Sequence, residues 1–349
     1  METSTERPGG RRVVVTGATG NVGTGVVRAL AADPQIGSVL GLARRRPGLD
    51  IAKVAWDTVD LSREGSEERL TGLLDGADAV VHLAWRFQPT HDPVTTWRSN
   101  VLGSQRVFRA VERSGVPALV HASSVGAYSP GPKHEPGVDE QWPTDGWPDA
   151  AYSREKAYLE RVLDAYELRN PQVRVVRMRP GFLFKETAAP EQRRIFAGRH
   201  VPGTLIRPDL LPFVPDLEAL RFQVLHTDDA AEAYRLAVLR DVRGPFNLAA
   251  DPVLDAGRLA ELLNARAVRV PRALVRAALA TAWRAHAVPA SPHLFDAVLR
   301  LPLLDSTRAH EELGWRPTRT AEEALRAFLR GVREGRGEGT APLVGRRIG

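Results

Sequence analysis

A tyrosine and a lysine four positions apart are the residues best suited to chemistry. Tyr152 and Lys156 belong to the run Tyr-Ser-Arg-Glu-Lys, so on a helix they lie one turn apart on the same face. A nearby ammonium group favours the phenolate, and we expect it to lower the pKa of Tyr152 from its usual value of about 10 toward neutrality. Such a tyrosine can protonate a carbonyl oxygen as hydride arrives, or deprotonate an alcohol in reverse. The alternative is an ordinary exposed pair on a helix.

A serine upstream of this pair can complete the site. Ser124 follows the apolar run Ala118–Ala122 and therefore lies at the carboxyl end of a predicted parallel strand, where open α/β sheets bind ligands. Its hydroxyl can hold the substrate oxygen beside Tyr152. Considered alone, Ser123 and Ser124 would more often be ordinary turn residues.

A glycine-rich turn predicts a dinucleotide. The segment TGATGNVG (16–23) follows a predicted strand and opens a predicted helix, which is the context that a dinucleotide-binding turn requires. Its glycines permit a tight turn and close approach of the backbone to a pyrophosphate, and the helix N-terminus offers free N–H groups to the phosphates. The alternative is a plain structural turn. The cofactor-binding residues predicted here are Gly17, Thr19, Gly20, Asn21, Val22 and Gly23.

The end of the second predicted strand favours NADP(H) over NAD(H). An NAD site usually offers an acid to the ribose 2′-hydroxyl about 20 residues beyond the glycine turn. This chain has Ala43 at that place, followed by Arg44 and Arg45. A guanidinium suits a 2′-phosphate. The alternative is a solvated arginine in an arginine-rich protein.

Alternating strands and helices must position these residues. Short runs that are apolar throughout, as in strands buried on both faces, alternate with stretches of helical periodicity. The alternation predicts right-handed βαβ units and an α/β fold with a doubly wound parallel sheet. The predicted strands are Arg12–Thr16, Ser38–Leu42, Ala79–Leu83, Ala118–Ala122 and Val173–Met178. The predicted helices are Gly23–Ala32, Ser66–Leu74, Thr95–Ser114 and Tyr152–Leu168.

The regular alternation of predicted strands and helices ends at Gly181. Residues 185–220 are irregular and contain five prolines, which is typical of a loop-rich insertion. Residues 253–330 have mainly helical patterns. The elements predicted between them are a strand at Gln223–His226, a helix at Asp228–Leu239 and a strand at Gly244–Leu248.

This organisation predicts two domains. A Rossmann NAD(P)-binding domain comprises 11–180 and about 222–252, and a smaller, mainly helical substrate-binding domain comprises about 181–221 and 253–330. Residues 1–10 are expected to be disordered and 331–349 to form a flexible tail.

Composition excludes several classes of function. The 349 residues include no cysteine, which removes disulfides, thiolate nucleophiles and cysteine-ligated metals. The nine histidines are spread out, so no metal site is predicted. The net charge is +6, but the arginines are scattered among nearly as many acids, and no nucleic-acid partner is expected. Without a signal peptide or a long apolar run, we expect a cytoplasmic protein with no membrane partner.

The motifs together resemble a known family. Their order is similar to that of the extended short-chain dehydrogenase/reductases, the NAD-dependent epimerase/dehydratase family, over about residues 11 to 330. The motifs that carry the resemblance are TGATGNVG, Asp60-Leu61, His82-Leu83-Ala84, Asn100 in Asn-Val-Leu-Gly-Ser, Ser123-Ser124 with Tyr128, Tyr152 with Lys156, Arg179-Pro180-Gly181, His226 to Ala230, Phe246-Asn247 and Leu313 to Pro317.

The resemblance implies a role for each matching residue. Ser124 matches the catalytic serine, and Tyr152 matches the general acid/base. Lys156 would bind the nicotinamide ribose and hold down the pKa of Tyr152. Asn100 resembles a helix asparagine near the cofactor and the proton path, and is counted among the catalytic residues. The further cofactor contacts implied are Asp60 and Leu61 at the adenine, Pro180 at the nicotinamide, and Leu83 and Ala84.

Departures from the family point to the substrate. Nucleotide-sugar enzymes of the family often carry Asn after the sixth strand and Arg before the His-x-Asp-Asp region, where this chain has Phe182 and Phe222. The change removes charge complementarity for a diphosphate and makes the pocket more apolar, as do Trp85 and Phe87. We predict a substrate pocket formed by Trp85, Ser124, Phe182 and Phe222, although each aromatic ring is as compatible with a core position.

These observations favour an NADP(H)-dependent oxidoreductase that interconverts a carbonyl and a secondary alcohol on a small, partly apolar molecule. The first alternative is a nucleotide-sugar epimerase or dehydratase with tightly bound NAD; Arg221 could still serve it, whereas Val125 disfavours water elimination. The second alternative is a non-catalytic NADP(H)-binding sensor. The family also implies a homodimer through Thr95–Ser114 and Tyr152–Leu168, unless these helices simply cover the sheet.

Overall fold

A computed structural model describes residues 9–196 and 212–345 of the chain. Most of the N-terminal segment 1–10, part of the insertion 181–221 and the last four residues lie outside these ranges. The strands are β1 (Arg11–Thr16), β2 (Ile36–Ala43), β3 (Val54–Thr58), β4 (Ala79–His82), β5 (Ala118–Ala122), β6 (Arg174–Pro180), β7 (Phe182–Phe184), β8 (Phe213–Asp216), β9 (Arg221–His226), β10 (Gly244–Leu248), β11 (Ala250–Asp255) and β12 (Arg266–Arg269). The helices are α1 (Asn21–Ala32), α2 (Ser66–Leu74), α3 (Pro93–Trp97), α4 (Gly103–Arg113), α5 (Ala151–Arg169), α6 (Ala189–Phe196), α7 (Thr227–Leu239), α8 (Ala256–Leu263), α9 (Arg272–Arg284), α10 (Pro292–Val298), α11 (Thr307–Glu311) and α12 (Ala321–Glu334).

Seven parallel strands form the main sheet, in the order β10-β6-β5-β4-β1-β2-β3. The apolar run Val13–Val15 of β1 is fully buried, because helices cover both faces of the sheet. Helices α1 and α7 pack on one face, and α2, α4 and α5 pack on the other. The predicted doubly wound α/β architecture is confirmed.

The strand order reverses beside β1. The chain runs outward from β1 through β2 to β3, then returns to place β4 on the other side of β1 and continues through β5 to β6. Open α/β sheets bind ligands in the crevice that this reversal leaves at the carboxyl ends of the strands. The glycine-rich turn follows β1, so the topology places it at this crevice.

The smaller part of the molecule covers the crevice. It contains a three-stranded sheet, β11-β9-β7, and a two-stranded sheet, β12-β8. Helix α12 packs its buried Ala321, Ala324 and Leu325 against the three-stranded sheet. The segment 185–220, which the sequence indicated as irregular, therefore contributes α6 and β8 among its described residues.

The carboxyl-terminal segment differs from the flexible tail that was expected. Residues 335–345 pack beside the glycine-rich turn, with Leu343 fully buried and the Thr340 hydroxyl donating to the Thr19 carbonyl oxygen at 2.8 Å. Glu338 lies 3.1 Å from Arg28 and 3.7 Å from Lys185. The packing of this segment was not predictable from its glycine-rich, non-periodic sequence. Its contacts are made by single side chains to residues distant in the chain.

Candidate active site

A cavity of about 1050 Å³ runs from the glycine-rich turn across the carboxyl ends of the strands to α10. It is lined by all of the residues that the sequence predicted to bind the cofactor: Gly17, Thr19, Gly20, Asn21, Val22, Gly23, Ala43, Arg44, Arg45, Asp60, Leu61, Leu83, Ala84, Tyr152, Lys156 and Pro180. Ser124 and Asn100 also line it. The structure therefore brings the predicted cofactor and catalytic residues to one continuous space.

The glycine-rich turn is shaped by close backbone contacts. Gly17 has a φ of +69°, and a Cβ there would lie 2.6 Å from the Ala84 nitrogen. A Cβ at Gly23 would lie 2.2 Å from the Gly17 carbonyl oxygen, so only glycine fits. Around Gly20, the nearest atom to such a Cβ is 3.5 Å away. Gly17 and Gly23 thus form the turn, and Gly20 leaves its open side free for a ligand to approach.

The N-terminus of α1 already binds an acidic oxygen. Gly20 caps this helix without a side-chain hydrogen bond, and the first turn contains no acid. Instead the Asn21 N–H donates to the carboxyl group of Glu191 on α6, at 3.2 Å. Burial raises the pKa of Glu191. The sequence predicts that this N–H donates to a phosphate of the cofactor. In the structure a carboxyl oxygen occupies that place, as expected at a helix N-terminus, which favours acidic groups.

The end of β2 presents two arginines to the cavity. Arg44 and Arg45 are exposed and line the cavity together with Asp60 and Leu61. The Asp60 carboxylate accepts hydrogen bonds from the Ser62 hydroxyl and N–H. These bonds and the charge of Arg44 lower the pKa of Asp60, against the opposing effect of its burial. Cationic side chains and a fixed carboxylate therefore border the place expected for the adenine ribose.

Tyr152 and Ser124 meet at the carboxyl end of β5. Ser124 caps a short 3₁₀ turn, where its Oγ accepts from the Gly126 N–H at 3.0 Å. Tyr152, in the first turn of α5, lies beside this turn, and a Cβ built on Gly126 would lie 3.4 Å from the Ser124 Oγ. A Cβ at Gly126 would lie 2.6 Å from the Tyr152 ring, so the glycine makes room for it. The two hydroxyls together can hold one carbonyl or alcohol oxygen.

The pKa of Tyr152 is shifted in the direction opposite to the one expected. Burial raises it to about 12, a shift that the hydrogen bond from Ser124 opposes only in part. Phe87 stacks on the ring with centroids 4.9 Å apart, and Trp85 approaches edge-on at 5.7 Å. These apolar faces disfavour the phenolate. Tyr152 is therefore a neutral phenol at neutral pH, ready to donate its proton.

Lys156 points elsewhere, which is why it does not lower that pKa. Its Nζ donates to the Ala122 carbonyl oxygen at 2.6 Å and lies 3.5 Å from the centroid of the Trp85 ring. Burial lowers the pKa of Lys156 to about 7, although the carboxylates of Glu155 and Glu160 favour its charged form. The helical spacing predicts that Lys156 lies one turn from Tyr152, but spacing cannot show which groups the ammonium contacts.

A buried ionic network holds the serine turn. Ser123 donates to Glu160 at 2.5 Å, and Arg179 donates to both carboxylate oxygens of Glu160 at 2.9 Å. Arg177 also contacts Glu160 at 2.9 Å. The arginines lower the pKa of Glu160 to about 2 against its burial. Ser123 is thus tied to α5, the helix that carries Tyr152, and Ser124 follows it directly.

The substrate side of the cavity is mainly apolar. Trp85, Phe87 and Phe182 line it, as do Leu294 and Leu301 from α10 and the segment that follows. The last two were not predicted from the sequence, because nothing in the helical pattern of 253–330 distinguishes a residue that faces a cavity from one that faces the core. Glu191 and Arg194 on α6 also line the cavity; they were not predicted because their segment reads as an irregular loop.

The structure does not place Phe222 in the substrate pocket, where the sequence predicted it. It is not among the residues that line the cavity. Its ring lies behind Phe182, edge-on with centroids 5.4 Å apart, within the cluster that α12 covers. Because β9 pairs in parallel with β7, Phe222 supports Phe182 from the core side, which is the alternative that the sequence left open for these aromatic rings.

The described residues contain neither a membrane-spanning helix nor a cluster of metal ligands. No helix within 9–196 and 212–345 is long and apolar enough to cross a membrane. The same residues hold no group of three or more histidine and acidic side chains arranged for a metal ion.

Comparisons with known proteins bear on the family and the fold. The model of the NAD dependent epimerase/dehydratase family matches residues 13–249. A dTDP-6-deoxy-L-talose 4-dehydrogenase (NAD(P)(+)) of Kitasatospora kifunensis is 30% identical over 90% of this chain and 93% of that protein. An uncharacterised protein of Mycobacterium bovis is 26% identical over 92% of this chain, which spans only 30% of that relative's length.

A solved structure shows the same fold. The UDP-N-acetylglucosamine 4-epimerase from Methanobrevibacter ruminantium, in complex with UDP-N-acetylmuramic acid, has a TM-score of 0.69. The match covers 93% of this chain and 99% of that one, at 18% identity. At this identity the likeness establishes the architecture alone.

Proposed function

Since the chain belongs to the NAD-dependent epimerase/dehydratase family, the extended short-chain dehydrogenase/reductases, we propose that it is an NADP(H)-dependent oxidoreductase. Its substrate is a small, partly apolar molecule on which a carbonyl and a secondary alcohol are interconverted. The residues that act on the substrate oxygen are Ser124 and Tyr152, with Lys156 beside them.

The placement of Tyr152 and Ser124 side by side in the cavity, around Gly126, is the observation that carries this proposal. A carbonyl oxygen placed between the two hydroxyls accepts a hydrogen bond from Ser124 and the proton from the Tyr152 phenol. The high pKa of Tyr152 keeps that proton in place at neutral pH. In the reverse direction the phenolate would take the proton of an alcohol.

The glycine-rich turn supports a dinucleotide in the same cavity. Its open side at Gly20 and the N–H groups of α1 suit a pyrophosphate, and Arg44 suits a 2′-phosphate. A bound NADP(H) would supply or accept the hydride. Glu191 must leave the Asn21 N–H when a phosphate oxygen takes that place, because one N–H group cannot donate fully to both.

The lining of the substrate side supports a partly apolar molecule. Trp85, Phe87, Phe182 and Leu301 surround the space next to Tyr152. Apolar walls favour apolar groups by about 25 cal/mol per Å² of surface that they remove from water. These four side chains offer no charge to a diphosphate, so a diphosphate would have to rely on Arg86 or Arg194, which also line the cavity.

A carbonyl panel tests the activity. We expect NADPH-dependent reduction of small aromatic or aliphatic ketones and aldehydes, and a loss of about 10²- to 10⁴-fold in kcat in Tyr152→Phe with NADPH binding retained. Tyr158→Phe, an exposed tyrosine on the same helix, is the matched control and should stay within about twofold of wild type. Full turnover in Tyr152→Phe would overturn the mechanism.

Two other results would redirect the assignment. NAD(H) that co-purifies with the protein, together with strong binding of UDP or dTDP, would indicate the nucleotide-sugar epimerase instead. Intact NADPH binding without turnover on any carbonyl would indicate the sensor.

The cofactor preference has its own test. We expect Arg44→Ala to weaken NADPH binding by about tenfold, since an exposed charge-assisted hydrogen bond contributes about 1.5 kcal/mol, and to leave NADH binding unchanged. Arg46→Ala is the matched control, because Arg46 does not line the cavity. Equal losses for both cofactors in Arg44→Ala would contradict the assignment of the 2′-phosphate.

We also propose a homodimer that uses the helical segment Thr95–Ser114 and helix α5. Tyr158 is 41% exposed on α5 and contacts Trp97 of α3, with ring centroids 4.9 Å apart. A second copy of this face would cover both rings. Sedimentation velocity decides between this dimer and a monomer in which these helices only cover the sheet.

A further inference from the structure

Glu155 is a buried acid that the proposed reaction does not use. It stands between Tyr152 and Lys156 in the sequence, yet its side chain is turned away from the substrate space and the residue is 1% exposed. One carboxyl oxygen accepts from the Thr96 hydroxyl at 2.6 Å, and the other accepts from the Asn100 amide nitrogen at 2.7 Å. Burying a carboxyl group with two neutral partners is costly, which calls for a reason beyond packing.

Asn100, one of the two partners of Glu155, binds the backbone of the loop at Arg86. The Asn100 side-chain oxygen accepts from the Arg86 N–H at 2.7 Å, and its nitrogen donates to the Arg86 carbonyl oxygen at 2.9 Å. Asn100 thus binds both backbone groups of Arg86, as a neighbouring strand would. It lies in a π-helical turn, Arg98–Leu102, within the predicted helix Thr95–Ser114, and this turn directs the amide at the loop.

Glu155 adds a third hydrogen bond that holds this amide in place. The Asn100 NH₂ group has two hydrogens, of which one goes to Arg86 and the other to Glu155. A flipped amide would set its oxygen against two acceptors and its NH₂ group against a donor. The carboxyl group of Glu155 therefore stabilises the same orientation that the N–H and C=O groups of Arg86 require.

The residues on either side of Arg86 enclose the reacting phenol. Phe87 stacks on the Tyr152 ring at an interplanar angle of 13°, and Trp85 meets it edge-on at 80°. Trp85 also lies under the Lys156 ammonium group. A displacement of Arg86 would move both aromatic rings, because they adjoin it in the chain.

We propose that Glu155 is a positioning residue for the reaction at Tyr152: through Asn100 it fixes the loop at Arg86, and so holds Trp85 and Phe87 against the phenol. This inference rests on the proposed function only for its effect on turnover. The packing that it describes exists in the free protein and can be measured there.

Three variants test the chain of contacts. Glu155→Leu removes both hydrogen bonds at similar volume. Glu155→Gln keeps them, because its side-chain oxygen can accept from Asn100 while its nitrogen donates to the Thr96 hydroxyl. Thr96→Val is the matched control, since it removes the other partner of Glu155 and leaves the link to Asn100 in place.

The first readout is kinetic. In Glu155→Leu we expect kcat to fall by about 10- to 100-fold, with NADPH binding to the folded protein within about threefold of wild type. Glu155→Gln should recover most of kcat, and Thr96→Val should stay close to wild type. A kcat per folded site that is unchanged in Glu155→Leu, or as low in Glu155→Gln as in Glu155→Leu, would overturn the proposal.

The second readout needs no substrate. Acetylation of Tyr152 by N-acetylimidazole, followed by peptide mass spectrometry, reports how well the two rings cover the phenol. We expect it to be about fivefold faster in Glu155→Leu than in wild type, with Glu155→Gln unchanged. Equal rates in all variants would overturn the positioning role. A wild-type protein without turnover overturns the proposed function instead, and the acetylation rates still decide the role of Glu155.

Discussion

The two halves of the cavity are built in different ways. The cofactor half comes from short contiguous segments at the ends of β1, β2 and β3, and its shape is set by the backbone: a Cβ on Gly17 or Gly23 would collide with main-chain atoms. The substrate half is assembled from side chains far apart in the chain, including Trp85, Phe182 and Leu301. A backbone site requires particular residues at fixed spacing, whereas a wall of side chains only requires apolar volume.

Lys156 lies where the two halves meet and gives the largest expected effect. Its pKa is lowered to about 7 in the folded protein, against about 10.4 in the unfolded chain. Between these values the unfolded chain binds more protons, so stability rises with pH, by up to about 1.4 kcal/mol per pH unit. Below pH 7 both states are protonated and this slope vanishes. Denaturant unfolding from pH 6 to 10 should show the slope in wild type relative to Lys156→Met.

Arg154→Met is the control for this slope. Arg154 is an exposed neighbour on the same helix, and its replacement should leave the rise in stability intact. Parallel curves for wild type and Lys156→Met would mean that Lys156 is solvated, and the boundary between the two halves would then be more polar than its contacts with Ala122 and Trp85 indicate.

In the cofactor half, replacement of Gly23 should destabilise the fold, whereas replacement of Gly20 should not. In Gly23→Ala the new methyl group would lie 2.2 Å from a backbone oxygen, so we expect a loss of about 1–3 kcal/mol in the free energy of unfolding and NADPH binding at least about tenfold weaker. In Gly20→Ala the nearest atom is 3.5 Å away, so stability should be unchanged while NADPH binding weakens. Thermal unfolding and cofactor titration measure both.

The two variants distinguish the shape of the glycine-rich turn, which Gly23→Ala tests, from its contact with the cofactor, which Gly20→Ala tests. Unchanged stability in Gly23→Ala would show that the turn can relax. Unchanged NADPH binding in Gly20→Ala would place the pyrophosphate away from the open side of the turn.

The same contrast explains what the sequence could predict. Gly17, Gly23, Tyr152 and Lys156 are local patterns whose chemistry depends on spacing, and the structure brings them to one cavity. The parallel sheet was predictable because strands buried on both faces are apolar throughout. Leu301 was missed, because an apolar residue in a helical region carries no sign of which neighbour it faces.

The errors arise from long-range contacts. Phe222 was placed in the pocket by its position in a motif, but pairing of β9 with β7 turns it behind Phe182. The pKa of Tyr152 was expected to fall because Lys156 is four residues away, yet the ammonium group binds the Ala122 carbonyl oxygen from another segment. Glu155 was overlooked because its partners, Thr96 and Asn100, lie more than fifty residues away.

Substitutions in the substrate half should have smaller effects than those in the cofactor half. Phe182→Ala removes an apolar wall, and we expect kcat/KM for an apolar ketone to fall by about tenfold, which corresponds to about 1.4 kcal/mol. Phe222→Ala, one layer behind, should lower the free energy of unfolding by about 2 kcal/mol with less effect on kcat/KM. If Phe222→Ala impaired turnover more than Phe182→Ala did, the assignment of the wall would be reversed.

The smallest expected effect concerns the carboxyl-terminal segment, which adds a side-chain contact to the backbone-built half. The buried Thr340 hydroxyl donates to the Thr19 carbonyl oxygen at 2.8 Å, and Ala341 and Pro342 line the cavity next to it. Thr340→Val keeps the volume but leaves that carbonyl without its donor, so we expect a loss of about 1 kcal/mol in the free energy of unfolding and NADPH binding weakened by about two- to threefold. Thr340→Ser keeps the hydroxyl and should behave as wild type. Equal stability and equal NADPH affinity in Thr340→Val and Thr340→Ser would show that the glycine-rich turn holds its shape without this segment, and that the cofactor half is built by its own backbone alone.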